Sequence, residues 1–163
     1  MNENPYSTPQ ADVRQAVVIR KGSRVKAIAI GMLVDLGGTT AASFVLGIVY
    51  GIVLAASGMP PERIQEHYAA NYSPFAGIGL CITLVGLGCS VLGGHLCARI
   101  VRERELYAAT WMAALTAGYS VLLANGELSP AVFAAMLALT VAAIFGGAAL
   151  GRYRNAREAA GLG

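Results

Sequence analysis

Charge is scarce in this chain. Only 13% of its 163 residues are Asp, Glu, Lys or Arg, whereas 56% are apolar, and the mean hydropathy is +0.58. In an ordinary soluble domain about a quarter of the residues are charged, so this composition argues against a soluble domain. The net charge of +3 is small and comes from clusters that set membrane orientation, so nucleic-acid binding is not expected. The sequence predicts an integral membrane protein whose first partner is the lipid bilayer.

The chain also lacks the motifs of metal, redox or soluble catalytic chemistry. Its three cysteines, Cys81, Cys89 and Cys97, are eight residues apart, about 12 Å along a helix, so no two can pair within one chain. CxxC and His-x3-His spacings are missing, as are a Gly-rich loop after a strand and a Ser-His-Asp set. We therefore expect a non-enzyme without metal or cofactor, in which the thiols act as small hydrophobic side chains.

Basic residues are missing from most of the chain, because eleven of the twelve fall into three clusters and only Arg63 lies elsewhere. The clusters are Arg14, Arg20, Lys21, Arg24 and Lys26; Arg99, Arg102 and Arg104; and Arg152, Arg154 and Arg157. Since short basic loops stay in the cytoplasm, an even number of spans must separate one cluster from the next. The pattern predicts an all-α bundle of four antiparallel transmembrane helices with both termini in the cytoplasm.

Four apolar segments reach the length of about 20 residues that a membrane span needs. They are 27–56, 74–100, 107–124 and 130–150. Ser73-Pro74 and Ser129-Pro130 each predict a hydroxyl N-cap followed by a proline at the first helical position. Asn125-Gly126 should end the third helix in a tight turn. The first segment exceeds a perpendicular span, so it should tilt or continue as helix beyond the membrane core, and we expect it to be retained as an anchor.

The segments outside the spans are short. We expect residues 1–24 to be a largely disordered cytoplasmic tail, residues 25–151 to form the transmembrane domain and residues 152–163 to be a basic cytoplasmic tail. Residues 57–73 form the only sizeable external loop, and its Pro60-Pro61 pair predicts a short helix. This loop is interpreted as an interfacial helix or lid, and the alternative is a ligand- or partner-binding loop.

The first thirteen residues, MNENPYSTPQADV, contain Asn4-Pro5-Tyr6 followed by Pro9 and by Ala11-Asp12-Val13. This pattern resembles the N-terminal heads of small uncharacterised four-helix bacterial inner-membrane proteins. The resemblance implies a location in the bacterial cytoplasmic (inner) membrane. It implies no site residue.

Small residues recur at helical spacing and predict where helices pack. The positions are Gly79, Gly86 and Gly93 in the second helix; Ala131, Ala135, Ala138, Ala142, Gly146 and Ala149 in the fourth; and the GxxxG pairs Gly47/Gly51 and Gly147/Gly151. Lipid tails are as apolar as leucine, so membrane helices associate through close backbone approach at small residues. We interpret these stripes as packing surfaces of an intramolecular bundle. The alternative is a surface for a second copy of the chain or for another membrane protein.

Two ionisable side chains, Asp35 and His95, lie at membrane depth, where such groups are costly unless paired or hydrated. Asp35 shares its helix face with small residues, and His95 lies one turn from Arg99. Because the first helix leaves the cytoplasm and the second returns to it, we expect Asp35, His95 and Arg99 in the same half of the membrane, close enough to meet. They are read as a structural pair or as solvated interface residues, and the alternative is a proton relay.

The favoured function is that of a noncatalytic membrane protein that acts through helix–helix interaction with itself or with another membrane protein. The alternative is a small transporter or channel that uses Asp35 to couple protons or ions.

Overall fold

The computed structural model describes residues 22–124 and 128–161, and within these ranges the regular structure is entirely helical, as predicted. The helices are α1 (Arg24–Ala56), α2 (Pro61–Asn71), α3 (Gly77–Val101), α4 (Glu105–Leu122) and α5 (Pro130–Ala159). Three of them, α1, α3 and α5, are long and apolar enough to cross a membrane. The described part of the chain is therefore helical and contains three candidate membrane spans. The predicted N-terminal tail up to residue 21 and the predicted turn at Asn125-Gly126 lie outside the described residues.

The helix starts agree with the sequence in two places and differ in a third. The Ser129 hydroxyl accepts a hydrogen bond from the Val132 N–H at 3.4 Å and caps α5, and the prolines open α2. The predicted start of α3 at Pro74 is wrong, because the Ala76 N–H donates to the Ser73 carbonyl at 3.2 Å and closes a turn there. Gly77, with φ 54°, then turns the chain into the helix in a conformation that favours glycine.

Helix α5 is longer than the span predicted for it. The predicted span ends at residue 150, and the helix continues to Ala159, within the predicted basic tail. The extension is long enough to carry Asn155 and Glu158 alongside the end of α3.

A π-helical turn, Leu33–Gly37, interrupts α1 and was not predicted. Asp35 is its central residue and is buried. A π turn inserts one residue into the helix and disturbs the usual carbonyl pairing. The Thr40 hydroxyl donates to the Leu36 carbonyl at 2.7 Å and so satisfies one carbonyl of this turn.

Helix α3 is the centre of the bundle and packs against α1, α4 and α5. Glycines allow the close approach. A Cβ added at Gly93 would lie 2.6 Å from the Gly31 carbonyl oxygen of α1. A Cβ at Gly147 would collide with the Val91 carbonyl, and one at Gly151 would lie 2.7 Å from the His95 carbonyl oxygen. From Gly147 to Gly151 on α5, the contacted residue on α3 advances from Val91 to His95. The two helices therefore run parallel.

The densest part of the bundle is built from small side chains. The buried apolar residues are Ala27, Cys97, Ala98, Val101, Ala108, Ala109, Met112, Ala113, Ile144 and Ala148. They lie toward the end of the bundle that carries Arg24 at the start of α1, Arg99 in the last turn of α3 and Arg152 on α5, and we call this the basic end. The opposite end, which carries α2, is the loop end.

Some of the small-residue stripes pack inside the bundle and others do not. On α3, Gly86 lies against Thr39, whose Cγ2 would be 3.2 Å from an added Cβ, and Gly79 lies against the Ser73 carbonyl. Among the described residues, no atom other than those of the neighbouring residues and the helix's own backbone lies within 4 Å of an added Cβ at Gly47 or Gly51. The α5 stripe faces outward, and its exposed members are Ala131, Ala135, Ala138, Ala142, Gly146 and Ala149. The intramolecular packing surface of α5 is formed instead by Gly147, Ala148 and Gly151.

Candidate functional site: a hydroxyl-lined cavity around Asp35

A cavity of about 330 Å³ lies on the loop-end side of the packed core, and α1, α3, α4 and α5 all line it. We call it the hydroxyl cavity. Its polar lining consists of the Asp35 carboxylate, the Tyr72 phenol and eight aliphatic hydroxyls, those of Thr39, Thr40, Ser43, Thr83, Ser90, Thr116, Ser120 and Thr140. Its other lining residues are Leu36, Ile82, Gly86, Leu87 and Met136. The cavity combines one ionisable carboxylate, a dense set of hydroxyls and an apolar wall.

Asp35 forms the floor of the hydroxyl cavity and is only 2% exposed. The Ser90 hydroxyl of α3 donates to Oδ1 at 2.6 Å, and the Thr116 hydroxyl of α4 donates to Oδ2 at 3.3 Å. The buried polar side chains of the described residues are these three and Thr83, and all four line the cavity. Within the described part of the chain, the buried polar side chains are thus all at this site.

Local backbone features bring the carboxylate to its partners. The π turn places Asp35 on the face of α1 that meets α3, and such turns are frequent at functional sites. Gly93 lies opposite, and a Cβ added there would come within 3.2 Å of the Asp35 Cβ. The absence of a side chain at Gly93 therefore lets the two helices approach closely enough for Ser90 to reach the carboxylate.

Most of the cavity hydroxyls donate their proton in a hydrogen bond to another group of the protein. Those of Thr40, Ser120 and Thr140 donate to backbone carbonyls one turn earlier, at 2.7, 2.9 and 3.0 Å. Those of Ser90 and Thr116 donate to Asp35. A hydroxyl has one proton and two lone pairs, so each of these five oxygens retains acceptor capacity after donating.

A cluster of three tyrosines lies at the loop end, and one of them, Tyr72, lines the cavity. Tyr72 stacks on Tyr68 of α2 with ring centroids 5.6 Å apart, and Tyr68 meets Tyr50 of α1 edge-on at 6.1 Å. Tyr72 itself is 40% exposed and lines the cavity. These contacts hold α2 against α1 and hold the cavity-lining Tyr72 against α2.

The hydrogen bonds to Asp35 come from Ser90 and Thr116, not from His95 or Arg99, the two residues that the sequence placed within reach of it. Arg99 instead donates to Asn155 at 3.3 Å and pairs with Glu158. The His95 backbone lies against glycines of α5. The physical reason is the rotation of α3, which turns Ser90 toward α1 and the His95 backbone toward α5. Asp35 is therefore buried and hydrogen-bonded, which contradicts its interpretation as a solvated interface residue.

A second polar cluster closes the basic end. The Asn155 amide donates to the Ala98 carbonyl at 3.0 Å and to the Glu105 carboxylate at 3.4 Å, so it ties together α3, α4 and α5. Arg102 lies 3.6 Å from Glu158. A larger cavity of about 620 Å³ is lined here by Arg102, Glu105, Arg152, Asn155, Ala156, Glu158 and Ala159. Its positive and negative side chains largely neutralise one another. We interpret this polar cluster as a structural link between α3, α4 and α5.

Asp35 was singled out from the sequence, but most of the hydroxyl lining was missed. A signal was present, because Ser and Thr residues recur within the apolar segments at helical spacing, as in Thr39/Ser43 and Thr116/Ser120. That spacing does not indicate that the hydroxyls of four different helices face one cavity. In the described ranges no three His, Cys, Asp or Glu side chains are placed to hold a metal ion.

No family model, curated protein or solved structure matches this chain. Its function has to be inferred from the geometry of the hydroxyl cavity.

Proposed function

We propose that the protein is a multi-pass transport protein of the bacterial inner membrane, which admits a small polar solute to the hydroxyl cavity and uses Asp35 to bind or couple it. The observation that carries this proposal is the buried Asp35 carboxylate, held by Ser90 and Thr116 at the floor of a cavity lined by four helices. Polar groups inside a bilayer are costly, and they mark solute and ion pathways in membrane proteins. This cavity favours the transport alternative over the interaction role that the sequence favoured.

The depth of Asp35 supports this reading. It lies eleven residues along α1 from Arg24, which corresponds to about 16 Å along the helix axis. With Arg24 at the cytoplasmic interface, the carboxylate comes close to the middle of a hydrocarbon core roughly 30 Å thick. Transporters commonly place their solute sites at this depth and build them around interrupted helices.

The proposed topology has four spans, with α4 as the third and both termini in the cytoplasm. Helix α4 has 18 residues, about 27 Å of helix, which is close to the core thickness. Its direction is parallel to α1, since Gly31 meets Met112 and Asp35 meets Thr116. With the basic clusters at the cytoplasmic face, the hydroxyl cavity faces the outside while the packed core closes the inside. This arrangement corresponds to one of the two states of an alternating-access cycle.

The transport proposal is tested by reconstituting the purified protein into liposomes that contain a pH-sensitive dye. Small cationic, neutral and anionic solutes are added under an imposed pH gradient. We expect the parent to dissipate the gradient with at least one solute, and Asp35→Asn to reduce that rate at least about tenfold.

Thr110→Val is the matched control for this assay. The Thr110 hydroxyl donates to the Leu106 carbonyl at 2.9 Å, a bond like those of Thr40 and Thr140, but it does not line the hydroxyl cavity. Thr110→Val should retain the parental rate. Circular dichroism and size-exclusion chromatography establish that each variant is folded. Equal flux in folded Asp35→Asn and parent, or no flux in the parent with any solute, would contradict the proposal.

A second candidate function is the noncatalytic interaction with another copy or another membrane protein. The observation that favours it is the outward-facing stripe of small residues on α5, which includes Ala138, Ala142 and Gly146. Gly146→Leu adds bulk to this stripe, and in the described ranges no atom of another helix lies within 4 Å of the added Cβ. If the stripe binds a second copy, this change should dissociate the oligomer, as measured by light scattering in detergent. An unchanged mass would exclude self-association through the stripe.

A further inference from the structure

We infer that the solute of the hydroxyl cavity is a small monovalent organic cation that carries an ammonium group. This inference rests on the proposed function and names its substrate class. The first support is charge. Among the lining residues Asp35 carries the only carboxylate, and no Lys, Arg or His lines the cavity. A carboxylate in a site of low dielectric attracts a cation strongly and repels an anion, because water does not screen the interaction there.

The second support is the direction of the hydrogen bonds. The five hydroxyls that donate to carbonyls or to Asp35 offer lone pairs, not protons, to a ligand. The carboxylate has about four lone-pair sites, and two of them accept from Ser90 and Thr116, so it retains acceptor capacity. The cavity is thus rich in acceptors. An ammonium group, which carries up to three N–H donors and no acceptor, is the complementary ligand.

The third support is size. The cavity volume of about 330 Å³ is roughly eleven times the 30 Å³ that a water molecule occupies in the liquid. It lies at the lower end of the range of small-molecule sites, far above the volume of a bare ion. A divalent metal ion would also need several anionic or carbonyl ligands at close range, and a single carboxylate does not supply them.

The remaining walls fit the organic part of such a solute. Leu36, Ile82, Leu87 and Met136 provide an apolar surface beside the hydroxyls. Tyr72 lies at the loop end, where the face of its ring can attract a cation as it enters. An alkylammonium ion would direct its nitrogen to the Asp35 floor and its carbon chain to this apolar wall.

The binding test uses three probes with the same four-carbon skeleton, n-butylammonium, n-butanol and butyrate. Isothermal titration calorimetry on the purified full-length protein in detergent measures their affinities. We expect n-butylammonium to bind at least about tenfold more tightly than the other two, because a charge-assisted hydrogen bond contributes at least that factor. Butyrate binding as tightly as n-butylammonium would overturn the inference, and so would equal binding of all three.

Variants locate the probe in the cavity. Asp35→Asn should abolish the preference for n-butylammonium. Thr140→Val removes one acceptor from the wall and should weaken its binding about two- to tenfold, whereas Thr110→Val, with the same back-bonded hydroxyl outside the cavity, should not change it. If Asp35→Asn does not fold, the Thr140→Val and Thr110→Val pair carries the test. Equal effects of these two changes would overturn the assignment.

The liposome assay separates this inference from the proposed function. Binding of n-butylammonium without flux would keep the ligand class and reject transport. Flux of n-butanol or butyrate that depends on Asp35, without flux of n-butylammonium, would keep transport and reject the cation. Neither binding nor flux of n-butylammonium in folded parent protein would reject the ligand class, and flux of the other solutes would then decide the transport proposal.

Discussion

Two hydroxyl groups allow a carboxylate to be buried in this bundle. A buried carboxylate without partners is strongly destabilising, so its hydrogen bonds matter more than those of a neutral group. Ser90 and Thr116 reach Asp35 from two different helices, at 2.6 and 3.3 Å. Asp35 therefore ties α1 to both α3 and α4 while it forms the floor of the hydroxyl cavity. The same residue serves folding and, in our proposal, solute binding.

Removing either hydroxyl should destabilise the protein. We expect Ser90→Ala and Thr116→Val each to lower the free energy of unfolding by about 1–3 kcal/mol, because a buried charged acceptor loses a donor. Ser90→Ala should have the larger effect, since its hydrogen bond is the shorter. Denaturant titration in detergent, followed by circular dichroism, measures the change. Equal stability of Ser90→Ala and the parent would contradict the contact.

Double-mutant cycles identify the partners of Asp35 directly. Asp35→Asn combined with Ser90→Ala should show a coupling energy above about 0.5 kcal/mol, as contacting residues do. Asp35→Asn combined with Arg99→Gln should be additive within about 0.5 kcal/mol, because Arg99 pairs with Glu158. Coupling between Asp35 and Arg99 with none between Asp35 and Ser90 would restore the pairing expected from sequence.

At the scale of elements, two adjacent glycines of α5 lie on different faces of the helix. Gly147 is buried against the Val91 carbonyl, whereas Gly146 is exposed and has open space around an added Cβ. Since both faces carry small residues, composition does not distinguish them. The inward face brings the α5 backbone onto α3, and the outward face remains available for lipid or another chain.

The neighbouring glycines provide a matched pair. Gly147→Ala should lower stability by about 1–3 kcal/mol, because the added methyl group forces the backbones of α3 and α5 apart. Gly146→Ala should be neutral or stabilise the protein by up to about 1 kcal/mol, the gain in helix propensity. Thermal unfolding in detergent compares the two. A larger loss for Gly146→Ala would mean that α5 is rotated relative to the arrangement described.

The whole bundle is asymmetric along its axis. Its basic end is filled by small side chains and fastened by Asn155, which bonds Ala98 and Glu105. Its loop end contains the hydroxyl cavity and the contacting tyrosines of α1 and the α2 region. In the proposed topology the tight end faces the cytoplasm. A solute would then enter from outside and require rearrangement of the packed core to leave inward.

Cysteine labelling with a membrane-impermeant reagent in intact cells tests this orientation. In a variant with Cys81, Cys89 and Cys97 replaced by Ala, a cysteine at Gln65 should react from outside and one at Glu103 only after permeabilisation. A cysteine at position 127, outside the described residues, should react from outside if α4 crosses the membrane. If a cysteine at position 127 is protected from the external reagent, α4 does not cross the membrane and the protein has fewer than four spans. External labelling of a cysteine at position 103 would contradict the proposed orientation.

The sequence by itself determined the helical class, the apolar segments and several helix ends. These features follow from local chemistry. Long apolar runs favour helices in lipid because their backbone groups must be paired internally. Ser129 and Pro130 start α5 as predicted, since a cap acts within one turn. Asp35 was identifiable as a candidate because an acid is rare within an apolar segment.

Only the tertiary structure decided which faces meet and which polar groups share a site. Lipid accepts every apolar face equally, so hydropathy did not distinguish Gly147 from Gly146, nor Ser90 from His95 as the residue turned toward α1. The partners of Asp35 lie 55 and 81 residues away in the chain, beyond the reach of any local pattern. The cavity exists because four helices place their hydroxyls together, and that depends on the close packing of glycines at the other end of the bundle.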